Sequence, residues 1–529
     1  MSPSPPPAVR RVRSAVEGLV CLCLGVILFR EVAAEGYMIT TGSMAPTLLG
    51  YHRRVTCAAC GSAFPVGAAA ELGLSQHVEA SAAVPPSPTP ACRCPNCGLP
   101  ETDAAAWPVS EGDQILVHKT AFAARRPRRW EVVVFRSPGN PRQAFVKRVA
   151  GLPGESVAID RGDVVVDGRL RRKPSVVQRA CRVPVYDDSR RPADADWRPR
   201  WLADEGILDL LDTGGGEFRF PVSPRWQWVH YRHWVRSGGT HRTAVDLSGS
   251  PDVDVRRLTG GRVQYEPRGR LVTRGAMSTA DRDALLASTR SEAFASAVER
   301  LADDSHVAPI TDTCAYNAGD PPVEYAVRDL MWSGRVVLDG GASFRVRLLY
   351  GRQPLELVLD AASRSAVLAT VGESGVAVVL ARGTMPADAV GGPFELMFST
   401  FDRQCIAEID GRPLFPAVPF EATPLTHLRS RRPVRFAARG GRVDVSHVRL
   451  HRDVYYTPRP GGPTRLGWDE LYVLGDNSPV SVDSRRWSEP AVPAAALLGK
   501  PFLVHLPSRR TAGPNSLRTP DWGRVRTVR

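Results

Sequence analysis

At 529 residues the chain is too long for one ordinary domain and predicts three or four, each large enough to bury its own core. A formal charge of +14 suits an acidic partner, but of the 69 basic residues only Lys119, Lys147, Lys173 and Lys500 are lysines, and the arginines spread along the whole chain without forming a patch. That distribution argues for compositional bias and against a nucleic-acid partner, and it makes each lysine informative, because lysine can lose its proton on burial and arginine cannot.

Residues 1–14 are proline-rich and then basic at Arg10, Arg11 and Arg13, the composition of a cytoplasmic tail before a membrane segment. The uncharged run Gly18 to Phe29 holds 12 residues, and extending it tolerates Glu17, Arg30, Glu31 and Glu35 near its ends. It reads either as an uncleaved transmembrane anchor over 15–37 or as a cleavable signal peptide ending at Val32-Ala33-Ala34. The anchor is preferred, since cleavage there leaves the following segment as a loose terminus. That segment is Thr41-Gly42-Ser43-Met44-Ala45-Pro46-Thr47. Gly42 permits close approach of another chain and Pro46 fixes the exit from the turn, so Ser43 is mounted as an exposed nucleophile would be. Taken alone it is equally a serine in an ordinary turn, because an unassisted serine is unreactive at neutral pH.

Cys57-Ala58-Ala59-Cys60-Gly61 and Cys94-Pro95-Asn96-Cys97-Gly98 are two Cys-x2-Cys knuckles separated by a Pro/Ala/Ser-rich excursion. With Cys57, Cys60, Cys94 and Cys97 as ligands they have the form of a four-thiolate zinc ribbon over 55–106. Cys92 is a fifth thiol, and outside the cytoplasm a disulfide-stapled loop is the alternative.

From Gly112 short β-type runs take over: Gln114 to Val117, Glu131 to Phe135, Ala144 to Val149, Ser156 to Ile159 and Asp163 to Val166, separated by turns such as Asp167-Gly168. Period-two alternation puts Phe145, Lys147 and Val149 on one face and turns Arg148 away. A lysine on an apolar face has its pKa lowered by burial, as a general base requires, unless it snorkels from a strand edge.

Residues 171–455 differ in character. A tryptophan-rich stretch precedes a helix expected around Asp281 to Asp303, with Leu285, Leu286, Phe294, Val298 and Leu301 on one face. Strand patterns follow: Phe344, Val346 and Leu348; Leu355, Leu357 and Leu359; Phe394, Leu396 and Phe398, with Ile409-Asp410-Gly411 as a hairpin turn. They predict a β-sandwich over about 320–455, a jelly roll similar to laminin-G or concanavalin-like domains, whose partner would be a glycan or a protein. Leu471 to Leu474 then runs into a polar loop containing Ser481, Asp483 and Arg485. Either this is an ordinary Asx/Ser-rich turn or, closed against the first β-domain, it lets Ser481 orient a neutral lysine while Asp483 and Arg485 pair beneath. Leu497 to Leu506 reads as a closing strand, and 509–529 as a loose basic tail.

Four segments in this order, around Ser43, Glu131 to Phe135, Lys147 to Glu155 and Gly475 to Arg485, resemble the bacterial type I signal peptidase family. Thr-Gly-Ser-Met-Ala-Pro-Thr at 41–47 resembles the family's nucleophile segment, Lys-Arg-Val-Ala-Gly-Leu-Pro-Gly-Glu at 147–155 its lysine segment, and Gly475-Asp476-Asn477 with Ser481 to Arg485 its last. The resemblance covers 15–54, 107–170 and 468–508 and leaves both insertions outside. It implies a mainly β fold in which 38–54, 107–170 and 456–508 form one catalytic domain. It also implies Ser43 as nucleophile, Lys147 as general base, and Thr41 with the Ser43 N–H as oxyanion hole. Ser481, Asp483 and Arg485 would be supports, and Met44 and Pro46 neighbours of the bound substrate. The implied protein sits in the cytoplasmic (inner) membrane by a single pass, contacts lipid, and cleaves signal peptides from preproteins on the extracytoplasmic side without a catalytic cofactor. Arg129-Trp130-Glu131 and Ser478-Pro479-Val480 depart from the family's pattern in two loops. Two other readings are a self-cleaving repressor-like protease and a catalytically idle membrane-anchored scaffold that uses the sandwich to bind partners.

Overall fold

The computed structural model describes residues 16–25, 34–74, 92–101, 104–140, 142–193, 197–204, 216–236, 238, 241–317, 324–371, 376–423, 430–510 and 519–529. The tail 1–14, Val32-Ala33 and the excursion 75–91 between the knuckles lie outside them. The fold is mainly β.

Residues 16–25 are helical, but Ala34–Met38 is a strand, antiparallel to Gln114–His118 with Gly36 opposite Leu116. The expected anchor over 15–37 is therefore not one helix. Its C-terminal end joins a sheet edge, where Glu35 meets Lys119 at 3.6 Å and Tyr37 packs on the core, a use for a charge and an aromatic that lipid would not offer. Among the described residues no helix is long and apolar enough to cross a membrane.

The site-bearing sheet runs Ala34–Met38, Gln114–His118, Leu497–Leu506, Val132–Arg136, Ala144–Gly151, Glu470–Leu474, Ala491–Pro493. Strands more than 300 residues apart in sequence are thus hydrogen-bonded neighbours: Leu474 pairs with Arg148, and Leu497 with Phe135. Leu497–Leu506, read as a closing strand, lies near the middle of the sheet and joins its two halves. The C-terminal residues are not a loose tail either. Arg526–Thr527 pairs with Leu503 and Val504, Arg524 bonds Asp113 at 2.5 Å, and the Arg529 carbonyl accepts from Arg148. A companion sheet of Ser156–Asp160, Asp163–Val166, Arg169–Leu170 and Thr464–Arg465 completes this part. Asp167 and Gly168, at φ 50° and 73°, make its tight turn, conformations that Asp and Gly tolerate.

The large insertion holds two antiparallel sheets packed face to face. One contains Leu330–Leu338, Pro393–Ser399, Gln404–Ile409 and Val443–Arg452, the other Ser343–Tyr350, Gln353–Asp360, Ser365–Val371 and Val434–Gly440. Phe344, Val346, Leu348, Leu355, Leu357, Leu359, Phe394, Leu396 and Phe398 all point into the shared core, as alternation predicts. Trp332, Phe344 and Phe436 cross between the sheets at centroid distances near 6 Å. The tryptophan-rich stretch contributes Trp201–Ala203 and Ser223–Tyr231 to the same sandwich. The expected helix is two, Thr279–Ser288 and Glu292–Ser305: Thr289 turns extended and ends the first, and Ser291 caps the second by accepting from the Phe294 N–H. Leu285, Phe294, Val298 and Leu301 still share one buried cluster, against a small three-stranded sheet.

A buried charge cluster ties the start of the insertion to its sandwich, where it meets the first domain. Lys173 Nζ lies 2.5 Å from Asp402 and 2.8 Å from Asp453, and Trp130 of the lysine-bearing region covers the ammonium at 5.1 Å.

Candidate active site

Lys147 sits on the strand Ala144–Gly151, and its side chain is 1% exposed. From there Nζ donates to Ser43 Oγ at 2.6 Å. The two residues are brought together by different anchors. On the lysine side, Ala144–Gly151 is zipped between Val132–Arg136 and Glu470–Leu474. On the serine side, Met44 is 1% exposed and plugs a core of Ile39, Leu48, Ile115, Val132, Val134 and Val504, so it holds the loop down from beneath. Ser43 itself stays partly exposed, as do Thr41 and Pro46 beside it.

Burial pulls the Lys147 ammonium down to about 8, the charge of Asp483 pushing it up and Arg485 holding it down. Asp483 makes no ion pair with the lysine. Burial would raise its carboxyl, but Arg485 overrides that with bonds of 2.9 and 2.8 Å, and the Gly475 N–H adds a third at 2.9 Å, leaving it below the usual carboxylate range. Arg485 in turn bonds Ser478 Oγ at 2.7 Å. The expected Asp483–Arg485 pair is therefore present. Ser481 is fully buried in the same loop, but its Oγ makes no hydrogen bond, and the expected contact to Lys147 is not formed. Gly475 is required here because a Cβ would meet Ser481 Oγ at 2.2 Å and the Ser43 carbonyl oxygen at 2.5 Å.

Alternation turns Arg148 away from the Lys147 face, and that second face is buried too. Arg148 is as buried as Lys147 and grips Asp476 at 2.8 and 2.7 Å on the opposite face of the strand, while Thr47 donates to the same carboxylate at 2.6 Å. Asn477 adds two bonds to the nucleophile loop: its Nδ2 donates to the Gly42 carbonyl at 2.9 Å and its backbone N–H to the Ser43 carbonyl at 3.0 Å. Asp476 and Asn477 stand in the Gly-Asp-Asn run quoted above, and that adjacency to the last motif was the available signal. Nothing in the sequence pattern marks a third contributor, Asn317 of the insertion, whose amide pairs with that of Asn477 at 2.9 and 2.7 Å.

The four cysteines also converge. The Sγ atoms of Cys57, Cys60, Cys94 and Cys97 lie within 4.8 Å of one another, with Cys57–Cys97 and Cys60–Cys94 at 3.6 Å. Zinc–sulfur bonds of about 2.3 Å at a tetrahedral centre place sulfurs roughly 3.8 Å apart, whereas a disulfide needs about 2 Å. Both knuckles turn alike: the Gly61 and Gly98 N–H groups donate back to the Cys57 and Cys94 carbonyls, and both glycines have positive φ. The donor set fits a structural metal. It packs on the sandwich, with Asn96 accepting from the Asp187 N–H and donating to the Arg190 carbonyl.

Residues 102–197 match the family described as Signal peptidase, peptidase S26. The probable signal peptidase I-2 of Synechocystis sp. is 36% identical over 63 residues, 11% of this chain and 29% of that protein. The signal peptidase I of Leptolyngbya laminosa is 27% identical over 113 residues, 20% of this chain and 49% of that protein. The probable signal peptidase I-1 of Synechocystis sp. is 27% identical over 143 residues, 24% and 70% of the two chains. The chain thus spans about a third to a half of the first two relatives, and over that part it is similar to type I signal peptidases. Among solved structures, sheep galectin-11 matches 23% of the chain (89% of its own) at 15% identity and a TM-score of 0.19. The carbohydrate-binding module CBM66 from Bacillus subtilis matches 25% of the chain (75% of its own) at 13% identity and a TM-score of 0.17.

Proposed function

We propose that the chain is a membrane-associated serine endopeptidase of the signal peptidase I kind, which removes signal peptides from exported preproteins through Ser43 and Lys147. The observation that carries this reading is the 2.6 Å contact from Lys147 Nζ to Ser43 Oγ at a buried lysine without a carboxylate bound to it. In the neutral form the lysine accepts the Ser43 proton as Oγ attacks the scissile carbonyl. The Ser43 N–H and the Thr41 hydroxyl stabilise the oxyanion, and the lysine passes the proton to the departing amine. Water then gives its proton to Lys147 and its oxygen to the acyl carbon, releasing Ser43. The substrate is bound as an added β-strand, with small side chains at the first and third positions before the cut, near Thr41 and Pro46.

Lipid contact is assigned to the N-terminal helix, whose residues 16–25 expose Val16, Leu19, Val20, Leu22 and Leu24. The cysteine cluster is assigned to one structural zinc, as the sulfur spacing supports. Elemental analysis of gently purified protein is expected to give about one zinc per chain; less than half a metal contradicts it. For the sandwich, a glycan partner is favoured by the outer face of its second sheet. There Arg439, Trp226, Arg345, Trp228 and Arg347 interleave, guanidinium on indole, with centroid distances of 4.2 to 5.7 Å. Binding of an acidic polysaccharide that survives in the Arg345→Ala/Arg347→Ala double variant contradicts this assignment.

Cleavage of a preprotein by Ser43→Ala and Lys147→Ala tests the peptidase directly. Both are expected to lose at least about a thousandfold in kcat/KM, as expected for loss of a nucleophile or its base; undiminished cleavage by either would sink the proposal.

A further inference from the structure

We infer that Asn317, at the root of the sandwich insertion, is a positioning residue of the active site: through Asn477 it sets the direction of the Ser43 N–H, making the insertion a working part of the catalytic apparatus. This rests on the Ser43/Lys147 reading above.

The Gly42 carbonyl and the Ser43 N–H belong to the same trans peptide, so fixing where the oxygen points fixes the N–H in the opposite direction. Asn477 Nδ2 holds that oxygen at 2.9 Å, and the Asn477 backbone N–H holds the next carbonyl, of Ser43, at 3.0 Å. An asparagine amide can turn over and present its oxygen in place of its NH2, which here would set oxygen against oxygen at Gly42. Asn317 opposes that turn. Its Oδ1 accepts the second Nδ2 hydrogen of Asn477 at 2.7 Å, and its own Nδ2 donates to Asn477 Oδ1 at 2.9 Å. The amide of Asn477 thus has both ends committed in one orientation only.

Asn317 is itself held by the insertion. Its N–H donates to the Cys314 carbonyl at 2.9 Å, closing a turn. Arg452, at the end of the sandwich strand Val443–Arg452, grips the carbonyls of Asp312 and Thr313 at 2.9 and 2.7 Å. Tyr316 clamps the same turn to the nucleophile loop. Its ring lies so close over Gly42 that a Cβ there would come within 2.0 Å of Cε1, and its hydroxyl donates to the Tyr51 carbonyl at 2.9 Å. A connected path therefore leads from a strand of the sandwich to the oxyanion donor.

The test uses the full chain and a peptide spanning a preprotein cleavage site, with kcat, KM and melting temperature measured together. Asn317→Leu keeps the branching of the side chain and removes both hydrogen bonds. Its kcat is expected to fall at least about tenfold with KM within about twofold and the melting temperature within a few degrees, because an oxyanion donor acts on the transition state more than on the bound substrate. Asn317→Asp, which keeps only the acceptor, is expected to lie between this variant and wild type. Arg431→Ala, at a surface ion pair elsewhere in the insertion, is expected to leave all three values unchanged. A kcat within twofold of wild type in Asn317→Leu, or a loss that appears in KM, overturns the inference. If Asn317→Leu does not fold, the Asp variant is read by the same limits. Cleavage that persists in Ser43→Ala is a separate result, which overturns the dyad and leaves the role of Asn317 without a reaction to serve.

Discussion

Lys147 and Lys173 are both buried almost completely, yet their surroundings drive them in opposite directions. At Lys173, burial disfavours the ammonium, but Asp402 and Asp453 lie in direct contact and lift its pKa well above the usual lysine value. At Lys147 the nearby carboxylates are already taken, Asp483 by Arg485 and Asp476 by Arg148, so burial dominates and the group falls to about 8. Burial alone therefore does not make a lysine a base. At Lys147 the two carboxylates that act on it, Asp483 and Asp476, are engaged by Arg485 and Arg148, which lets burial lower its pKa. Lys173 ties the first residues of the insertion to its sandwich through Asp402 and Asp453, whereas Lys147 is the proposed proton acceptor.

The contrast can be broken by substitution. The largest effect on stability is expected for Lys173→Met, which leaves Asp402 and Asp453 buried and unpaired and should cost about 3–5 kcal/mol in denaturant unfolding at pH 7. Lys147→Met, which removes a buried ammonium without orphaning a carboxylate, should instead stabilise the chain at pH 7 by about 1–3 kcal/mol, given that a lysine pulled below its unfolded value costs about 1.4 kcal/mol per unit. It should abolish cleavage at the same time. The signs in pH are also opposite. The contribution of Lys173, whose folded pKa is raised, is present in full below the unfolded lysine pKa and fades only as pH passes the folded one. The penalty at Lys147, whose folded pKa is depressed, is relieved as pH rises from about 8 toward the unfolded value. A wild-type-minus-variant stability curve between pH 6 and 10 should be nearly flat for Lys173→Met and sloped for Lys147→Met.

A smaller, kinetic effect is expected at Arg485. Arg485→Met frees the charge of Asp483 beside Lys147, so the lysine pKa rises and the midpoint of the rate profile moves to higher pH. Each unit of that movement costs roughly tenfold in neutral lysine, and so in rate, at pH 7. A midpoint unmoved in an active, folded Arg485→Met would refute the arginine's part in tuning the base. Smallest of all, Arg161→Ala, at an exposed ion pair, should change stability by no more than about 0.5 kcal/mol.

The elements that alternation specifies were legible. Lys147 in an apolar strand, the strands Asp163–Val166 and Ser343–Tyr350, and the inward faces of the sandwich follow from period two alone. The Ser43 and Asp483 segments were legible as a resemblance carried by short motifs. Arg148 does face away from Lys147, but alternation tells which residues share a face and not whether the other face is covered; here it is, and Arg148 is fully buried. The anchor was overextended because Gly36 and Tyr37 count as apolar in lipid and serve equally well in an edge strand. The pairing of Leu503 with Thr527 joins residues from a charged terminus with no strand pattern of its own. Asn317 was invisible for a different reason: an amide in a loop of an insertion, 160 residues before its partner, leaves no periodic trace.

The measurement that bears most directly on the central claim is kcat/KM of the full chain against pH, from 6 to 10, with a preprotein-derived peptide. If Lys147 acts as a neutral base at Ser43, the rate should climb about tenfold per pH unit and level off above about 8. A rate independent of pH across that interval, in a protein whose Ser43→Ala variant is inactive, would contradict it.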